Sequence, residues 1–336
     1  MSNREEFDKI LQIVDAHEYP EDRNFVEKIV KKFNITRNIF YVVIFAGSFY
    51  LYQAGRIFPE NTLLILGVAM AMTVACYRYL GQRNGMKREL NGCVHRECRP
   101  DIAISRHLSF VSCALKKQIR WNVVQYNLGC ALYRHGRIEK ANACLSLMRD
   151  SCETASSMMW ADHLKLLIAL YYKDYETIIS CSDEVAALYP KAVHNSWNKK
   201  IYGDIVRAGA YANCCKNNDY VQAFSILQNP NERPLDEVTR NYYLFLAARE
   251  LHDFEKLEDY RNYVRRNAGT TWYGQAVEGN FVPEEKPENY PAFQILSKEL
   301  NKPRKVDRSR LKYLLIGVLI ALLLYFLPRI MCFFPE

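Results

Sequence analysis

The chain has 336 residues, enough for two domains, and a formal net charge of +8. Lys and Arg against Asp and Glu number 7 and 8 over residues 1–37, 1 and 1 over 38–77, 10 and 3 over 78–120, 18 and 19 over 121–280, and 9 and 6 over 281–336. The positive excess therefore lies beside the apolar runs and not in the long central region. That placement disfavours a nucleic-acid binder and fits the positive-inside pattern of membrane proteins.

Residues 2–17 read as an amphipathic helix, with Ser2 and Glu5 spaced as a capping box. Phe7, Ile10, Leu11 and Val14 form its apolar stripe. Pro20 interrupts it, and a second short helix follows with Phe25, Ile29, Val30 and Phe33 on one face. The charge of residues 1–37 is close to zero, so this cytoplasmic segment is expected to pack within the protein and not on a lipid surface.

Three runs lack any charged side chain: Asn38–Gly55, Asn61–Tyr77 and Tyr313–Pro328. Each is near the ~20 residues that cross a hydrocarbon core, so transmembrane helices are expected over 38–55, 61–80 and 311–329. The loop Arg56–Glu60 makes the first two a tight hairpin. Gly67, Ala71 and Ala75 recur every four residues and offer a face for close helix approach, with Ala46, Gly47 and Ser48 of the first span as its partner.

Residues 81–118 read as a basic connector and a first helix, which spans 101–118 with Ile104, Leu108, Val111 and Leu115 facing inward. Cys93, His95 and Cys98 lie close in the connector, but zinc usually takes two ligand pairs and no second pair stands at a matching distance. No metal or cofactor is expected. Eleven cysteines without organised spacing point to reduced thiols and a cytoplasmic setting.

The most informative stretch is Gln125–Leu145, QYNLGCALYRHGRIEKANACL. Leu128, Gly129, Leu132, Gly136, Ile138, Ala141 and Leu145 set two apolar helices around a small-residue crossing, with Gly136 able to end the first helix in the left-handed region. This pattern resembles the tetratricopeptide repeat, an antiparallel helix pair that stacks into a solenoid. Tyr175, Tyr220 and Phe254 occupy the position of Ile138 in three more degenerate units, which places a repeat domain over 119–280. Ala223 keeps the small crossing residue, and Ile178 and Leu257 replace it elsewhere. Residues 267–280 suit a capping helix. Pro283, Pro287, Pro291 and Pro303 then mark 281–310 as a linker with a short helix over Ala292–Leu300, and residues 330–336 form a short tail.

The expected architecture is thus all-α, an α-solenoid of such helix hairpins plus three transmembrane helices. In this family the first helix of each pair lines a groove that binds a peptide or a partner's helix. The resemblance implies groove positions at Tyr126, Cys130 and Tyr133 in the first unit and at His163, Leu167 and Leu170 in the second. It implies Ala208 and Ala212 in the third, and Tyr242 in the fourth. The subfamily that grips chaperone carboxylates uses Lys and Asn where this chain has Tyr126 and Cys130, so that ligand does not carry over.

No glycine-rich phosphate loop, HExxH helix or GxSxG elbow is present. The expectation is therefore not an enzyme but a multi-pass membrane scaffold that recruits a protein or peptide partner at the cytoplasmic face. Its N-terminus would lie inside and its C-terminus outside, with contacts to membrane lipid, none to nucleic acid and no small-molecule substrate. An accessory subunit of a membrane-embedded enzyme or transporter is the alternative. Ser48, Thr73 and Cys76 are the only polar groups noted within the spans, few for intramembrane chemistry.

Overall fold

A computed structural model describes residues 3–14, 19–57, 62–115, 119–287 and 290. These are all-helical, with no strand among the described residues. The chain forms two compact units. One holds the described residues up to Glu27 and those from Glu89 onward, and the other holds Lys28–Arg88.

In chain order the helices are α1 (Asn3–Val14), α2 (Pro20–Ile57), α3 (Thr62–Glu97), α4 (Pro100–Ala114), α5 (Trp121–His135), α6 (Ile138–Ser151) and α7 (Ala155–Tyr172). There follow α8 (Tyr175–Leu188), a 3-10 turn at Tyr189–Lys191, α9 (Ser196–Lys216), α10 (Tyr220–Ile226), α11 (Pro234–Glu250), α12 (Phe254–Asn267) and α13 (Trp272–Glu278).

The larger unit is built from neighbouring helix pairs: α5 with α6, α7 with α8, α9 with α10, and α11 with α12. Each first helix is followed within two residues by one with positive φ: Gly136 (88°), Lys173 (54°), Asn218 (58°) and His252 (55°). The next amide then bonds back five residues, as Arg137 N–H does to Leu132 O at 2.9 Å and Asp174 N–H to Ala169 O at 2.9 Å. In three of the four pairs the following aspartate caps the second helix. Asp174 accepts from Thr177 N–H, Asp219 from Gln222 N–H and Asp253 from Lys256 N–H. A left-handed residue, an aspartate and an aromatic, as in Lys173-Asp174-Tyr175, therefore make the sharp reversal between helices.

Small residues set the crossings. A Cβ at Gly129 would stand 2.5 Å from Leu164 Cδ2 and 3.3 Å from Cys144 Cβ, so α6 and α7 can pack on α5 only because nothing is there. Ala141 and Ala223 are fully buried. A Cβ at Gly209 would reach Ser182 at 2.6 Å, the same device between α9 and α8.

The last helix turns back to the first pair. Gly269 has φ +57°, and its Cα hydrogens face the Cys98 carbonyl so closely that a Cβ would lie 2.3 Å from that oxygen. Thr270 N–H donates to Cys98 O at 2.9 Å, and its hydroxyl donates to Asp101. Tyr273 and Tyr133 pair their hydroxyls at 3.3 Å, and Trp272 lies edge-on to Tyr133 and Tyr171. The stack of pairs thus closes on itself within this unit, where the sequence implied an open groove.

Other readings change as well. The connector over 81–97 is helix, because α3 runs unbroken to Glu97. Its Gly81, Gly85 and Gly92 meet no atom within 4 Å of a built Cβ, so no close approach requires them. The second N-terminal helix is likewise the start of a 38-residue α2. Phe7, Ile10 and Val14 of α1 are buried, and Trp121 Nε1 donates to Asn3 Oδ1 at 3.2 Å. Residues 281–287, expected as linker, lie against the helix pairs. Glu284 accepts from Glu139 N–H at 2.7 Å, Tyr172 donates to Glu285 O at 3.1 Å, and Lys286 pairs with Asp174 at 3.1 Å.

Within the smaller unit, α2 meets α3 through Gly47, where a Cβ would fall 2.7 Å from Met72 Sδ and 3.4 Å from Val68. Phe40 stacks on Tyr79 at 4.6 Å. Gly67 is exposed with nothing within 4 Å, and Ala71 is exposed too, so the small face named from the sequence is not the contact. Among the described residues no helix is long and apolar enough to cross a membrane. The spans expected at 38–55 and 61–80 are therefore not found as such: these residues sit inside longer helices with charged ends, and Asn38, Tyr41, Ser48, Tyr50, Thr73 and Tyr77 dilute them. The span expected at 311–329, the helix at 292–300 and Ser2 lie outside the described residues.

Candidate binding cavity

The first helices of the pairs surround a cavity of about 220 Å³. A helix repeats its facing direction every three or four residues, and each inner helix contributes at that spacing. Tyr126, Cys130, Tyr133 and Arg134 come from α5, and His163, Leu167 and Leu170 from α7. Trp197, Lys200, Asp204 and Ala208 come from α9, and Asp236, Thr239, Arg240 and Tyr243 from α11. His95 of α3 and Tyr273 of α13 close the lining.

Seven of the nine positions implied by the resemblance lie on this cavity, all but Ala212 and Tyr242. Ala212 is fully buried on α9. Tyr242 turns to Trp272 and Tyr273, at ring distances of 5.1 and 4.9 Å, and its neighbour Tyr243 takes the inner face. The charged residues escaped the sequence reading, although Arg134 stands four positions after Cys130 on the same helical face. Trp197, Lys200 and Asp204 show the same three- and four-residue spacing along α9.

Tyr126 and Tyr133 are core residues that also face the cavity, with 4% and 0% of their surface exposed. The Tyr126 hydroxyl and His163 Nδ1 are joined at 2.7 Å. Burial, then the charges of Arg134 and Lys200, takes His163 down to about 3, and burial with Arg134 takes His95 down to about 3. Both imidazoles are neutral at physiological pH. Burial also pushes the Cys130 thiol up to about 11 and the Tyr126 phenol well above its ordinary value. Asp236 differs: burial raises its carboxyl, but Lys200 at 3.0 Å, together with the charge of Arg134, outweighs that and holds it below the ordinary value. Lys200 also pairs with Asp204 at 2.8 Å, and Arg240 with Glu237. Trp197, Arg207, Asn229 and Arg233 are the exposed lining residues and mark the mouth.

No group of three or more His, Cys, Asp or Glu among the described residues is placed to hold a metal ion, and Cys93, His95 and Cys98 form no such group. The cavity offers aromatic walls, neutral imidazoles, one protonated thiol and fixed cations. Such a set binds by shape, hydrogen bonding and charge. Comparison with protein-family models, curated proteins and solved structures gives no match for this chain.

Proposed function

We propose that this protein is a membrane-associated adaptor whose helix pairs, of tetratricopeptide-like kind, hold a short segment of a partner protein in the inner cavity. The carrying observation is the convergence of seven implied inner-face residues on one cavity. The partial closure by α13 favours a peptide end or a few side chains over a whole partner helix. The ring is pre-formed, so little ordering cost falls on the protein when the segment enters. Protonated Cys130 and neutral His95 and His163 favour binding over catalysis.

Membrane association is supported by the smaller unit. Ile39, Val42, Phe45 and Phe49 of α2 and Leu66, Met70 and Val74 of α3 are all exposed, and Phe45 shows 79% of its surface. An exposed apolar area of that kind marks contact with lipid or another protein. We assign it to the apolar part of a bilayer because the runs carry no charge for 18 and 17 residues. None of the ten cysteines among the described residues is in a disulfide, which supports a reducing setting.

A photo-crosslinking amino acid at Trp197, at the mouth of the cavity, tests the adaptor reading in native membranes. It should trap a defined partner, and the same group at Val221, 70% exposed and not among the cavity-lining residues, should not. Equal trapping at both positions would remove the cavity from recognition.

A further inference from the structure

The chemistry of the cavity names the kind of segment it takes, an inference that rests on the adaptor reading above. Residues 121–280 are near neutral, with 18 basic and 19 acidic side chains. The cavity is not. Arg134, Lys200, Arg207, Arg233 and Arg240 line it against only Asp204 and Asp236, five cations to two anions. Lys200 is held by both aspartates and Arg240 by Glu237. No carboxylate among the described residues pairs with Arg134, Arg207 or Arg233.

Arg134 is the decisive residue. It is half-buried among aromatic walls with no carboxylate in ion-pair contact, and its charge acts on Asp236, which Lys200 already holds, so it gains from an incoming anion. A guanidinium grips an oxyanion through two parallel charge-assisted hydrogen bonds. Within the same cavity His95 Nδ1 is buried with no hydrogen-bond partner, a spare group for the same ligand. Arg207 and Arg233, exposed at the mouth, raise the local concentration of anions and speed their entry.

We infer that the cavity selects a peptide segment bearing an oxyanion side chain, an acidic or a phosphorylated residue, which seats at Arg134. Tyr126 and Trp197 add apolar wall, so the residue beside the anion is apolar or aromatic.

The test presents the full chain in lipid nanodiscs to a bead-bound library of random heptapeptides that includes phosphoserine. Captured peptides should be enriched about tenfold or more in Asp and Glu, or in phosphoserine, and which of these is enriched identifies the source of the anion. Arg134→Gln should lose the enrichment while still capturing apolar peptides. Arg233→Gln, at an exposed position that leaves the fold intact, should weaken it in a salt-sensitive way and decides the matter if Arg134→Gln loses its helical signal. Capture without acidic preference, or a preference unchanged in both variants, overturns this inference and leaves the adaptor reading standing. Inorganic phosphate should compete for the seat of the anion, so millimolar phosphate that leaves the acidic preference of capture unchanged overturns it too. Capture of no peptide at all overturns both readings.

Discussion

The ring of helix pairs and the α2–α3 hairpin are both rich in apolar side chains and dispose of them in opposite ways. In the ring, Leu128, Leu132, Ile138, Leu145 and Met159 are almost wholly removed from water, and Gly129, Ala141, Gly209 and Ala223 stand where helices approach closely. In the hairpin, Phe45, Met70 and Val42 are among the most exposed large hydrophobic side chains of the described residues, and Gly67 has nothing within 4 Å of a built Cβ. Apolar content alone therefore says little about which solvent a helix is built for. What separates the two is whether small residues face neighbours and whether large ones have partners. Matched substitutions in the two regions put that difference to work.

The largest effect is expected at the closure. Gly269→Ala combines a left-handed backbone with a Cβ aimed at the Cys98 carbonyl, a backbone atom that cannot swing away. The cost should be on the order of 3 kcal/mol or more, read as a lowered urea midpoint of the full chain in detergent. Gly67→Ala in the hairpin is the control. With no atom within 4 Å it should hold or slightly gain stability through helix propensity. Equal losses at the two glycines would erase the distinction.

The next effect separates buried from exposed alanine. Ala141 is fully buried at the crossing of α5 and α6, and Ala141→Trp should cost about 1–3 kcal/mol or more through overpacking. Ala71→Trp, on the exposed face of α3, should leave thermal stability unchanged and strengthen retention on vesicles. A wild-type melting temperature for Ala141→Trp would show that this crossing is loose.

Much of the ring was legible because its signals are local. Ile138, Tyr175, Tyr220 and Phe254, matched across degenerate units, are the first residues of α6, α8, α10 and α12. The reason lies just before them, where Lys173, Asn218 and His252 end a helix and Asp174, Asp219 and Asp253 begin the next. The aspartate-aromatic pair would have defined the repeats better than the crossing alanine did. What stayed hidden depends on distant contacts. Tyr273 meets Tyr133 across 140 positions, and no local pattern announces that the stack closes. Arg134 and Asp236 look like ordinary surface charges until the closure encloses them. Gly81, Gly85 and Gly92 do not break α3, because a glycine costs only about 1 kcal/mol in a helix whose neighbours are good formers.

A third prediction concerns the hairpin alone. Val42→Asp with Phe45→Asp removes apolar side chains that are 67% and 79% exposed, so the ring's unfolding midpoint should not move. Vesicle sedimentation should change instead, with the variant shifting to the supernatant as charged groups are excluded from hydrocarbon. Unchanged sedimentation would direct the exposed apolar face to a protein partner.

The smallest effect tests charge inside the ring. Asp162 on α7 is fully buried, and neither carboxylate oxygen has a hydrogen-bond partner. Lys165 Nζ lies 3.4 Å from Glu184 and 4.0 Å from Asp162, so Glu184 is its closer counter-ion. Burial first, and then repulsion from Glu184, pushes the Asp162 carboxyl well above its ordinary 3.8. The fold favours its neutral form, and Lys165 with Glu184 makes the closer ion pair. The sign follows from linkage. A carboxyl with a raised folded value contributes fully below about 3.8, and its contribution is lost as pH rises toward the folded value, because the folded state must bind a proton that the unfolded state has released. Asp162→Asn removes that dependence while keeping the shape. The variant should melt with the wild type near pH 4 and a few degrees above it at pH 8, with a difference that grows steadily between. A variant that melts below the wild type at pH 8 would mean that Asp162 is ionised in the fold and is the true partner of Lys165.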